Sequence, residues 1–276
     1  MAITGTILKT LDIRDIREEV KYPDDGLTSI FELQKELIGP YIKIEGLPQY
    51  PIDVNTKSSQ VLLKDFSARI VEELGEAWES FEIMMKLKNT SDSRELMISH
   101  LQNYNEEVAD AIHFWAEMMI YIGAETQRIR YWMSNFLKTD LWGDMLLNMM
   151  YIGKDQLMLD YRFMKRIPAF WVIRDEDLQD EFLRGGRMLG KEHYQLQKEL
   201  LWDITYHLQI ARNTLKNKPW KQTEMMTDEN LFENEMMKAT ISLFKFFSFA
   251  GFNKISLYTI YYKKNRVNKF RQESKY

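Results

Sequence analysis

Glu73 and Glu76, in VEELGEAWESF, and Glu107 and Asp110, in NEEVADAIHFW, are the residues of this chain best placed to do chemistry. Each pair is spaced i,i+3, which sets both carboxylates on one face of a helix. About thirty residues separate the pairs, enough for one helix to end, turn and return antiparallel. Two such helices facing each other gather four anionic groups, and like charges at that range repel unless a cation fills the space. Carboxylate and water oxygens are the ligand set that suits Mg²⁺. Mg²⁺ held in this way commonly serves a phosphate substrate.

An isolated ExxE is usually a solvated helix surface. The neighbours set these pairs apart. Asp110 lies between Ala109 and Ala111-Ile112, with Phe114 and Trp115 just beyond, and Glu73 and Glu76 flank Leu74 and Ala77. Carboxylates at the edge of a core need partners. Glu79 continues the row and could add a ligand. Glu72 and Glu106 point elsewhere on a helix and read as surface. His113 follows Asp110 by three, and di-iron bundles use Glu-x-x-His twice per site. No other histidine here has an acid three positions earlier, so the di-iron alternative lacks its second half. His113 reads as a packed or supporting group.

The second chemical feature is basic. From Tyr261 the chain runs YYKKNRVNKFRQESKY, with six Lys or Arg against one Glu. Lys264, Asn268 and Arg271 fall at i, i+4, i+7, one stripe of a helix that can hold polyphosphate oxygens. An ordinary basic surface helix is the competing reading.

The elements that must position these groups are helices. Among 276 residues there are twelve Gly and six Pro, and alternating strand patterns are scarce. The expected fold class is all-α. The pattern predicts a helix over 27–38 stopped at Gly39-Pro40, a loop over 39–58, and long helices over 59–88 and 94–122 separated by a break at NTSDS (89–93). Residues 125–220 read as interrupted helix, followed by helices over 229–249, capped by Asp228, and 253–270.

Composition narrows the function classes. Net charge is −4, which gives no global drive towards nucleic acid or membrane. No cysteine is present, which rules out disulfides, thiolate metal sites and cysteine nucleophiles. The first twenty residues lack the pattern of a signal peptide, and a cytoplasmic location is expected. The most apolar stretch, 241–262, is interrupted by Lys245, Asn253 and Lys254 and reads as buried helix.

Taken in order, these blocks resemble the all-α NTP pyrophosphatase superfamily, which includes MazG-type enzymes, and within it the dimeric dUTPases and the phage dCTP pyrophosphatase. EExxE followed by ExxDxxHF is matched by Glu73, Glu76, Glu107, Asp110, His113 and Phe114. The family's terminal block, YxxKNxxNxFRQxxGY, is matched by Tyr261, Lys264, Asn265, Asn268, Phe270, Arg271, Gln272 and Tyr276, after a GFNKISLY lead-in at 251–258. The resemblance covers roughly 27–123 and 236–276, and implies a catalytic helical bundle of 1–123 plus 236–276 with a helical insert at 124–235.

The resemblance implies that Glu73, Glu76, Glu107 and Asp110 hold Mg²⁺. It implies that Glu73 or Glu76 orients a water, and that Lys264, Asn268 and Arg271 grip the phosphates. Gln34, Tyr261 and Gln272 are implied as base-binding or supporting groups. The implied protein is a homodimer acting on a pyrimidine deoxynucleoside triphosphate, without membrane or direct nucleic-acid binding. Departures leave the base open: LQKELI keeps Gln34 but has Ile38 where the family has Asn, FEIMMKLK replaces a tryptophan-rich stretch, and Lys275 stands where Gly is usual. The chain stops at Tyr276 without the longer tail of many dimeric dUTPases, as in the phage dCTP enzyme. Thus dUTP, dCTP and a modified pyrimidine all stay open, dUTP being preferred. A non-catalytic helical interaction protein on the same scaffold is the alternative from another class.

Overall fold

The computed structural model describes residues 13, 16, 20–87, 94–137, 191–218, 220, 222–250, 252 and 254–274. Its regular elements are all helical, and no strand occurs among the described residues. In chain order they are α1 (Gly26–Glu45), α2 (Lys57–Leu87), α3 (Arg94–Tyr121), α4 (Thr126–Leu137), α5 (Lys191–Thr214), α6 (Glu229–Phe249) and α7 (Lys254–Glu273). The expected helices that carry the acidic pairs and the basic stripe are present, with ends shifted by no more than three residues. The NTSDS break lies outside the described residues, as do Gly251, Asn253, Lys275 and Tyr276 of the terminal block.

The expected stop at Gly39-Pro40 is overturned. α1 runs through Pro40 to Glu45 and ends on Gly46, whose φ of 66° is the left-handed conformation of a helix terminator. Proline removes one N–H and crowds the carbonyl four residues back. That carbonyl belongs to Glu36, on the exposed side of the helix. Leu37 and Ile38 are buried and Ile42 packs on the core, so apolar burial on both sides of the proline keeps the helix going. The start of α1 is capped as its sequence suggests: Asp25 accepts from the Thr28 N–H at 3.1 Å. Asp228 caps α6 in the same way, accepting from Leu231 N–H at 3.0 Å.

α3 is the central element. Its residues 108–121 are buried on nearly every side, which suits a helix with Val108, Ile112, Trp115, Met119 and Tyr121 spread around its axis. α2 runs antiparallel to it, since Phe66 stacks on Tyr121 while Phe81 meets Tyr104. α5 is antiparallel to α2: Lys64 reaches Leu215 at one end, and Tyr194 bonds Glu82 at the other. α6 packs along α5 and against α3, where the Trp115 indole donates to Thr240 at 3.0 Å.

α1 and α7 lie side by side and parallel. Tyr261 reaches Ile30 O, Asn265 reaches Leu33 O, and Gln272 reaches Leu37 O. Leu200, Ile204, Leu208 and Ala211 of α5 belong to the same core as α2 and α3. α6 spans residue 235 without a break. No helix among the described residues is long and apolar enough to cross a membrane.

Candidate metal centre

Antiparallel packing of α2 on α3 brings the two i,i+3 pairs to one place. Glu73, Glu76 and Glu107 each direct a carboxylate oxygen to a common point, all within 4.8 Å of one another. Glu73 and Glu107 are half-buried and Glu76 is exposed, so the group opens to solvent on one side. Asp110 stands beside them, one turn further along α3. Its Oδ2 lies 2.6 Å from Lys264 Nζ of α7. Lys264 is itself buried, its side chain 8% exposed. Three converging carboxylate oxygens, with a fourth carboxylate held by an ammonium beside them, is an arrangement that can take a hard divalent cation.

The electrostatics follow from that crowding. Burial first, then the Asp110 charge and a hydrogen bond shared with Glu107, push the Glu73 carboxyl up to about 8. Burial also raises Glu107, against the pull of its bond with Glu73 and of Lys264. Burial raises Asp110 too, while Lys264 and Arg271 draw it back down. Glu73 therefore keeps a proton in the folded chain where the unfolded chain has already lost it. The resulting stability is complete below about pH 4.5 and is lost as pH rises through about 8. Melts of cation-free protein are expected to show stability declining across that window, with a flatter profile in Glu73→Gln. A steeper decline in the variant would contradict the assignment.

The remaining sequence candidates separate into two groups. Lys264, Asn268 and Arg271 do share one stripe of α7, and Lys264 and Arg271 both act on Asp110. Arg271 is exposed and Asn268 half-buried. Gln34, Tyr261 and Gln272 are instead bonded into the α1–α3–α7 junction. Gln34 is 1% exposed. Its carbonyl oxygen meets His113 Nδ1 at 2.8 Å and accepts from the Tyr261 hydroxyl at 2.9 Å, and its amide donates to Glu117 at 3.3 Å. Gln272 donates to Leu37 O at 2.9 Å. In this geometry they support helix packing.

His113 is buried, with its ring stacked 4.2 Å from Tyr261. Burial pulls it down to about 3, so it stays neutral and donates from Nδ1 to Gln34. A second histidine with a carboxylate, His207 on Glu235 at 2.7 Å, belongs to the α5–α6 contact, not to this centre. His113 thus fastens α3 to α1 and α7 just beyond Asp110. The sequence pattern marked the residue, but not Gln34 as its partner, because the two are far apart in the chain.

No family model matches the chain, and neither a curated relative nor a solved structure matches it.

Proposed function

We propose that this protein is a Mg²⁺-dependent pyrophosphatase of pyrimidine deoxynucleoside triphosphates, releasing a nucleoside monophosphate and pyrophosphate. The observation that carries the reading is the apposition of Glu73, Glu76 and Glu107 with Lys264 and Arg271 across Asp110. Acids that gather a divalent cation sit next to cations that can hold phosphate oxygens. An all-oxygen donor set with no histidine or thiolate suits a hard divalent ion such as Mg²⁺, Ca²⁺ or Mn²⁺, and Mg²⁺ is the one that usually accompanies substrate phosphates. The ion, when bound, supplies charge neutralisation for the leaving pyrophosphate.

The chain's own groups do the rest. Lys264, Asn268 and Arg271 hold and orient the triphosphate. Glu73 or Glu76 orients a water in line with the α-phosphorus and takes its proton. The water oxygen bonds to phosphorus, the bond to the bridging oxygen breaks, and that oxygen leaves with pyrophosphate. Catalysis of this kind is chiefly positioning and charge compensation. The family resemblance of the acidic and basic blocks supports the same reading, and implies with it a dimer and a role in keeping dUTP or dCTP out of DNA.

The test is a product panel: dUTP, dCTP, dTTP, dATP and dGTP, each with protein and Mg²⁺, resolved for pyrophosphate and orthophosphate. Pyrophosphate with dUMP or dCMP is the expected result. Equal turnover of all five would replace the pyrimidine assignment with a broad one. A folded protein that turns over none of them, with no Mg²⁺-induced rise in melting temperature, would overturn the reading in favour of a non-catalytic scaffold.

A further inference from the structure

The opposite kind of cluster lies elsewhere on the molecule. Lys64 of α2 sends its ammonium to the end of α5, donating to Leu215 O at 2.6 Å and lying 3.5 Å from Asn217 O. Lys218 comes within hydrogen-bonding reach of the same ammonium, and Arg212 and Lys216 act on it as charges. Burial together with these three cations pulls Lys64 down to about 8. Beyond them stands Trp220, 77% exposed, with Lys218 Nζ 5.8 Å from its ring centre.

Carbonyls at a helix end attract cations, which accounts for Lys64. They offset only a fraction of one charge among the four gathered cations. The segment that carries them is fastened by buried polar bonds. Asn217, 2% exposed, donates to Asn55 O and Met225 O and accepts from the Met225 N–H at 2.7 Å, while its own N–H donates to Gln60 at 2.8 Å. Gln60 also donates to Thr227 at 2.9 Å. A held segment that presents a bare indole beside concentrated positive charge has the two parts that bind a nucleotide: charge for phosphate and a flat face for the base.

We propose that Lys64, Arg212, Lys216, Lys218 and Trp220 form a second binding site, for the phosphate and stacked base of a nucleotide, either free or within a single strand. The site is separate from the acidic one. Lys64 precedes Glu73 by nine residues, which places it about 14 Å away along α2 and half a turn round. The inference does not depend on the proposed hydrolysis.

The experiment uses full-length protein in EDTA, so that the carboxylates carry no divalent ion, and a short fluorescein-labelled oligothymidylate at low salt. Saturable anisotropy is expected, weakened by salt, and weakened about tenfold by each of Lys218→Ala and Trp220→Ala. Both side chains are peripheral to the core, and circular dichroism verifies that the variants fold. Glu107→Gln is expected to bind the oligonucleotide as the parent does. Competition identifies the source: dTMP displacing the probe as well as unlabelled strand, nucleotide for nucleotide, assigns a free nucleotide, and displacement by strand alone assigns single-stranded nucleic acid. Lack of binding by either at millimolar concentration, binding indifferent to Lys218→Ala and Trp220→Ala, or binding lost in Glu107→Gln would each overturn the proposal.

Discussion

Glu107→Gln will melt at a higher temperature than the parent protein in EDTA at pH 8, and will lose at least about a thousandfold in Mg²⁺-dependent turnover. The two effects have one cause. Glu73, Glu76, Glu107 and Asp110 act on one another as like charges, and burial adds to the penalty. An amide at position 107 keeps the shape and can keep a hydrogen bond to Glu73 while removing a charge. The cation-free fold gains by that exchange, and the cation loses a ligand. Added Mg²⁺ at a hundred times its dissociation constant should stabilise the parent by about 2.7 kcal/mol and leave the variant nearly unmoved. Calorimetry with and without Mg²⁺ measures both quantities. A variant that is less stable in EDTA and equally responsive to Mg²⁺ would remove Glu107 from the centre.

Lys264→Met should be among the most damaging single changes in the chain. The lysine is buried against Asp110 at 2.6 Å, and removing one member of such a pair strands the other charge, at about 3–5 kcal/mol. Replacing Asp110 as well, in Lys264→Met/Asp110→Asn, removes the stranded charge and should recover most of that loss. On the proposed function, activity should not return with stability, because Lys264 is one of the cations assigned to the phosphate. Urea denaturation of the parent, both single variants and the double variant measures the coupling. Additive losses would show that the pair is not energetically joined, and recovery of turnover in the double variant would take Lys264 out of substrate binding.

The acidic cluster was legible because its logic is local. An i,i+3 spacing fixes a face, and a short connection between two long helices fixes an antiparallel return, so Glu73, Glu76 and Glu107 had to converge. Lys264 was legible as part of a basic stripe, but its attachment to Asp110 was not. That bond requires α7 to lie across α3, and nothing within 254–273 specifies which helix it packs on. Gln34 shows the same limit: its sequence context marked it as a base-binding or supporting residue, but its bonds to His113, Glu117 and Tyr261 on α3 and α7 span 79 to 227 positions. Pro40 misled because local breaking tendency was weighed without the burial of Leu37, Ile38 and Ile42 around it. Arg212, Lys216, Lys218 and Trp220 stand close together in the sequence, but Lys64 joins them across 151 positions, where it meets Leu215, and could not be read there.

The parallel seam of α1 on α7 has a consequence for how the molecule is made. Tyr261 reaches Ile30 across 231 positions, so this contact carries a large loop-closure entropy and belongs to the slow, late part of folding. The ribosome releases α2 and α3 well before α7. For that interval a nascent chain holds its acids together without the counter-charge of Lys264 or Arg271. On the proposed function, ambient Mg²⁺ would supply that missing counter-charge during synthesis, before any substrate is met.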